Sequence, residues 1–268
     1  MTGWELLKTG WDWKPSVLAG CAAVLAGYGL AVRFRVNRKT ILFTLGVLGV
    51  FLVLVSPIDT LGDDYLFSAH MTQHLVLDMA APALFVLGTP AWAVTWLLKH
   101  PFFASMERIL GNPALCLILG NFTLCLWHLP VLFNATLENE RLHVFQHLTF
   151  LVTGTMLWWP VFKPIRRGRL PPLQSMAYLS ISAFINGILG IILTIPSTSF
   201  YSAYAHPRDG LGALSLIRDQ WKLDPVADQQ LGGAIMWVFG SGIYIWAVLA
   251  MVARWQKSTE SSVYGIQH

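Results

Sequence analysis

The chain has 268 residues, 55% of them hydrophobic and 12% charged, with a formal net charge of +4 at pH 7. So few charges and a positive mean hydropathy exclude an ordinary water-soluble domain and predict a polytopic membrane protein, one bundle over residues 1–268. The positive balance does not indicate nucleic acid, because the basic residues sit in short clusters between apolar runs, the arrangement that fixes membrane orientation.

Residues 1–16 are polar and tryptophan-bearing and lack the pattern of a signal peptide, so the first apolar run is expected to be retained. Seven apolar segments of spanning length follow, near 15–33, 39–56, 66–88, 112–129, 142–162, 172–195 and 229–253, which predicts an all-α bundle of seven transmembrane helices. Proline and glycine mark the joins at Ser56-Pro57, Gly88-Thr89-Pro90, Gly111-Asn112-Pro113, Leu129-Pro130, Pro171-Pro172 and Ile195-Pro196. Ala91 to Leu98 is apolar but too short to span, and is expected to extend the third helix or lie at the interface. Of the 18 lysines and arginines, twelve fall on one side of this topology, in the loops around Arg33–Lys39, Lys99–Arg108, Lys163–Arg169 and Arg254–Lys257. Basic residues stay cytoplasmic, so the N-terminus is expected outside and the C-terminus inside. Cys21, Cys116 and Cys125 are odd in number and lie in apolar runs, which supports no disulfide framework.

The third segment carries the chemistry. His70, His74 and Asp78 are four apart, so on a helix they form one stripe. Ionisable groups are costly within a span and normally face the bundle interior, where they mark function. His128 closes the fourth segment, and His143 and His147 open the fifth with the same spacing. In the expected topology all five histidines reach one depth in the outer leaflet. Imidazole suits copper, zinc, nickel and iron, and five histidines with Met71, Cys125 and Met236 nearby point to copper or haem iron before magnesium or calcium. A lone membrane histidine more often caps a helix or hydrogen-bonds within a bundle; two four-spaced pairs at one depth favour a metal or haem site.

The weaker candidates each have a bland reading. Asp78, deeper than the histidines, either orients an imidazole or pairs with a helix hydroxyl. Asp228 enters at the histidine level, near a helix start where a carboxylate commonly caps backbone N–H groups. Met71, Met236 and Cys125 are more often packing residues than ligands. No nucleophile elbow and no His-Glu-x-x-His sequence is present, so nothing argues for an enzyme of hydrolysis.

At Ser56-Pro57-Ile58-Asp59, His70-Met71-Thr72-Gln73-His74, Leu87-Gly88-Thr89-Pro90, Trp127-His128-Leu129-Pro130, His143 to His147, Trp158-Trp159-Pro160 and Asp228-Gln229, the chain resembles the seven-span cytochrome c oxidase assembly factors of the CtaG family. Members often show a proline pair where this chain has Ala81-Pro82, and an acidic residue where it has Gln146. The resemblance implies a multi-pass protein of the bacterial inner membrane, not an enzyme. It would hold or deliver copper for a subunit of a haem-copper oxidase, with membrane lipids and a copper-donating chaperone as further partners. A copper permease, a membrane cytochrome with histidine-ligated haem, and a structural scaffold are the alternatives that the residues leave open.

Overall fold

The structure, a computed structural model, describes residues 1–264. It is 79% helical, with no strand among the described residues. The helices are α1 (Gly3–Thr9), α2 (Pro15–Ala31), α3 (Arg38–Val55), α4 (Pro57–Asp64), α5 (Phe67–His74), α6 (Ala81–Gly88), α7 (Ala91–Leu97), α8 (Pro101–Leu110), α9 (Pro113–Trp127), α10 (Pro130–Glu138), α11 (Glu140–Phe162), α12 (Pro172–Thr194), α13 (Pro225–Ile235) and α14 (Ser241–Tyr264). A π-helical stretch, Leu75–Ala80, joins α5 to α6, and another, Met236–Gly240, joins α13 to α14. Proline opens most of these helices in their first turn, where its fixed φ is pre-set and its missing N–H costs nothing.

Each of the seven expected apolar segments lies on a helix. Four helices, Arg38–Val55, Phe67–Gly88, Pro172–Thr194 and Pro225–Lys257, are long and apolar enough to cross a membrane, and a fifth span results if α8 and α9, bent by 65°, count together. α2 has 17 residues and α9 has 15. α11 has the length, 23 residues, but carries the polar side chains of His143, Gln146 and His147. Ala91–Leu97 does not continue the third segment; Thr89-Pro90 breaks the chain and α7 is a separate short helix.

Pro82 explains the first π-helical stretch. It removes the N–H that would otherwise bond the Asp78 carbonyl four residues back, and the helix widens so that the Ala81 N–H reaches Val76 instead. α11 closes against that freed carbonyl at Gly154. A Cβ there would collide with the Asp78 carbonyl oxygen and lie 3.0 Å from Pro82 Cγ. Small residues similarly let α12 meet α13, where Gly190 and Gly233 face each other's backbones. In the second π-helical stretch, Asn186 of α12 donates to the Met236 carbonyl at 3.0 Å.

The Gly154→Ala variant is therefore expected to lose about 1–3 kcal/mol, because the obstacle is backbone and cannot rotate away. Thermal unfolding in detergent, followed by circular dichroism, should show a lowered midpoint; an unchanged midpoint would mean that this helix pair is free to separate.

Candidate metal centre

Of the stripe expected on the third segment, His70 and His74 come together, while Asp78 lies in the π-helical stretch and in neither close ligand grouping. His70 and His74 project from α5 with ring centroids 4.3 Å apart. α11 supplies His143 and His147 at 4.2 Å, and His128 stands just beyond the last residue of α9. The sets interlock: His70 stacks on His143 at 5.1 Å, His74 meets His128 at 5.3 Å, and His147 lies 6.1 Å from His70 and 6.0 Å from His74. All five are buried. One ring nitrogen from each of His70, His74 and His147 falls within a mutual 4.8 Å, as do a carboxylate oxygen of Asp63 and one ring nitrogen from each of His70 and His143.

The Nε2 atom of every one of these histidines is buried with no hydrogen-bond partner among protein groups, and His74 Nδ1 is likewise unpartnered. An unpaired buried polar group costs about 1–3 kcal/mol, so the concentration of six such atoms asks for a ligand. Two of the tautomers follow from their contacts. His70 Nδ1 lies 3.3 Å from the Gly62 carbonyl and His128 Nδ1 lies 2.6 Å from the Leu124 carbonyl. A carbonyl only accepts, so the proton sits on Nδ1 in both rings and leaves the Nε2 lone pair free to bind a cation.

Partners outside the cluster hold these rings in place. The Gly62 carbonyl that takes the His70 proton also accepts from the Tyr204 hydroxyl at 2.6 Å, and the Tyr201 hydroxyl donates to the His128 carbonyl at 2.9 Å. Tyr201 stacks on Phe67 at 4.5 Å and lies 4.3 Å from Phe133, which itself packs on His70 at 4.8 Å. The long connection between α12 and α13 thus folds down over the cluster and seals one side of it. Gln229 helps close that connection, accepting from the Phe200 N–H at 2.6 Å and donating to the Leu193 carbonyl at 3.2 Å.

Charge enters from another side. Lys14 Nζ lies 2.5 Å from Asp59, 3.6 Å from Asp63 and 3.8 Å from Asp12. Gln73, between the two α5 histidines, donates to Asp59 at 2.8 Å and to the Val53 carbonyl at 2.9 Å. His143 Nδ1 is 3.8 Å from Asp63 Oδ1. Burial raises both carboxyls above the usual carboxylate range, with the Lys14 ammonium opposing the shift.

The remaining sequence candidates lie elsewhere. Asp228 is buried on α13, whose own N-terminus Asp224 caps; the Asp228 carboxylate instead accepts from the Phe67 N–H at 2.6 Å and the Ser68 N–H at 3.1 Å, capping α5. Met71 and Met236 are buried in the apolar core with Phe67, Leu77 and Leu193. Asp78 is buried in the π-helical stretch beside Gly154, and Cys125 is half-buried; neither belongs to the two close ligand groupings. Asp63 escaped the sequence reading. Its spacing to Asp59 along α4 was the available signal. Gln146, buried and unpartnered at both amide atoms, neighbours His70 from α11.

Apolar helices around a buried histidine cluster whose Nε2 atoms lack partners, with Asp63 beside it, define a membrane-type helical protein. The profile of the cytochrome c oxidase caa3 assembly factor family matches residues 24–258, and the chain belongs to that family. It is also similar to uncharacterized proteins of Mycobacterium leprae and Mycobacterium bovis, each 25% identical over 280 residues that cover 91% of this chain and 40% and 39% of theirs. The chain therefore spans about two fifths of the length of these curated relatives. No solved structure matches it.

Proposed function

We propose that this chain takes copper as its cargo on the imidazoles of His70, His74, His128, His143 and His147 and releases it to a subunit of a haem-copper oxidase during assembly. The observation that carries this reading is the set of five buried Nε2 atoms without partners. Copper bound there would supply no chemistry of its own; the chain's work is to hold the ion, shield it and let it go. Neutral imidazoles with a single nearby uncompensated carboxylate suit a monovalent ion better than a divalent one, because each further buried charge must be compensated. The same packing speaks against haem: the rings contact one another, and Phe133 and Phe150 press on His74 at 6.2 and 4.6 Å where a porphyrin would lie. In the membrane we place seven spans with the N-terminus outside, the orientation the basic-residue asymmetry favours, so the cluster opens on the side where an oxidase subunit receives copper.

Deletion in the bacterium tests this. The oxidase should assemble with its haem but without copper, and added copper should restore part of its activity. An oxidase with copper present and haem missing would overturn the proposal.

A further inference from the structure

We infer that the cation is first received at an outer position made by Asp63, His70 and His143, that this position shares His70 with an inner one made by His70, His74 and His147, and that the Lys14 ammonium is the counter-ion displaced from Asp63. The inference rests on the copper reading and adds its route and its gate.

Both groupings bring their donor atoms within 4.8 Å, and His70 belongs to each. An ion moving from one to the other can keep its bond to His70 while Asp63 and His143 give way to His74 and His147, so it is never bare in the low-dielectric interior. The outer grouping is itself unsatisfied: Asp63 Oδ1, His70 Nε2 and His143 Nε2 are buried without partners. It is also the open side. As whole residues His74 is 2% and His143 9% exposed, and the Asp63 and Lys14 side chains are 26% and 32% exposed. Phe133, Tyr201 and Tyr204, all buried, cover another part of the cluster.

Charge counting points the same way. Lys14 pairs tightly with Asp59, at 2.5 Å, and more distantly with Asp63, at 3.6 Å. One ammonium thus faces two carboxylates beside the cluster and leaves one negative charge, on the residue nearest His143. The half-exposed Lys14–Asp63 contact is weak enough for a cation to break. Lys14 can swing aside without losing its place, because Asp12 N–H donates to the Val55 carbonyl at 3.0 Å and Thr60 to the Gly10 carbonyl at 2.9 Å on the residues before it, and α2 starts directly after.

The test uses silver(I), a monovalent ion that air does not oxidise, added to the detergent-purified chain in stopped-flow competition with a chromophoric chelator. Asp63→Asn should slow association roughly tenfold at low salt, and Lys14→Gln should speed it. The pair Lys14→Gln/Asp59→Asn keeps the net charge and guards against a loosened N-terminal segment; it too should associate faster than the wild type. His74→Ala/His147→Ala should still take up one silver ion, more weakly, at the outer position. Wild-type rates in both Asp63→Asn and Lys14→Gln, with binding still lost in His70→Ala/His74→Ala, would overturn the gate and leave the copper site standing. A wild type that binds neither silver nor copper would overturn both.

Discussion

Protein purified with copper supplied should carry about one copper per chain, and the His70→Ala/His74→Ala variant should carry none. The expectation follows from His70 belonging to both close groupings and His74 to the inner one, so that neither grouping keeps three donors after the double change. The variant should nonetheless stay folded. Of the four ring nitrogens removed, three have no hydrogen-bond partner, and only the contact of His70 with the Gly62 carbonyl is lost. Gly62 keeps its bond from Tyr204. Metal content by elemental analysis, read beside the unfolding midpoint, separates loss of the site from loss of the fold. Copper retained at full occupancy in the double variant would place the site elsewhere.

The second large effect is expected from a residue that touches no imidazole. α5 has no capping side chain of its own at Leu66, and its first two N–H groups depend on Asp228 from α13. Asp228→Ala leaves both N–H groups buried and unpaired, at about 1–3 kcal/mol each and so about 2–6 kcal/mol together. The start of α5 should fray, and His70, three residues into that helix, should lose its orientation. We expect a strongly lowered unfolding midpoint together with reduced copper occupancy, and a smaller loss of both in Asp228→Asn, which keeps one acceptor oxygen. An unchanged midpoint in Asp228→Ala would show that α5 is held by packing alone, through Phe67 against Tyr201 and Phe133.

The two variants probe opposite halves of one design. His70 and His74 are left unsatisfied, which destabilises the free protein, whereas Asp228, Tyr201, Tyr204 and Gln229 satisfy the backbone around them. A site that holds an ion only in passing is consistent with that division, since a rigid frame keeps the ligands in reach whether or not the ion is present.

Much of this was legible in the sequence. A helix that packs on several sides in a bundle is apolar nearly all round, so hydropathy alone located every long helix, and proline marked most starts. Four-residue spacing put His70 with His74 and His143 with His147, because that stripe is a property of a single helix. Asp228 was legible as a capping residue but not as the cap of α5, because its partners lie 161 and 160 residues away. Distance in sequence likewise hid Tyr201 and Tyr204 as the cover, Gly154 as the seat of the Asp78 carbonyl, and Asp63 as the companion of His143. Hydropathy and periodicity report what one helix must do to be stable in its surroundings. Which carboxylate faces which imidazole, and which N–H finds its acceptor, is set by how helices cross, and that depends on backbone contacts at Gly154, Gly190 and Gly233 that no single segment encodes.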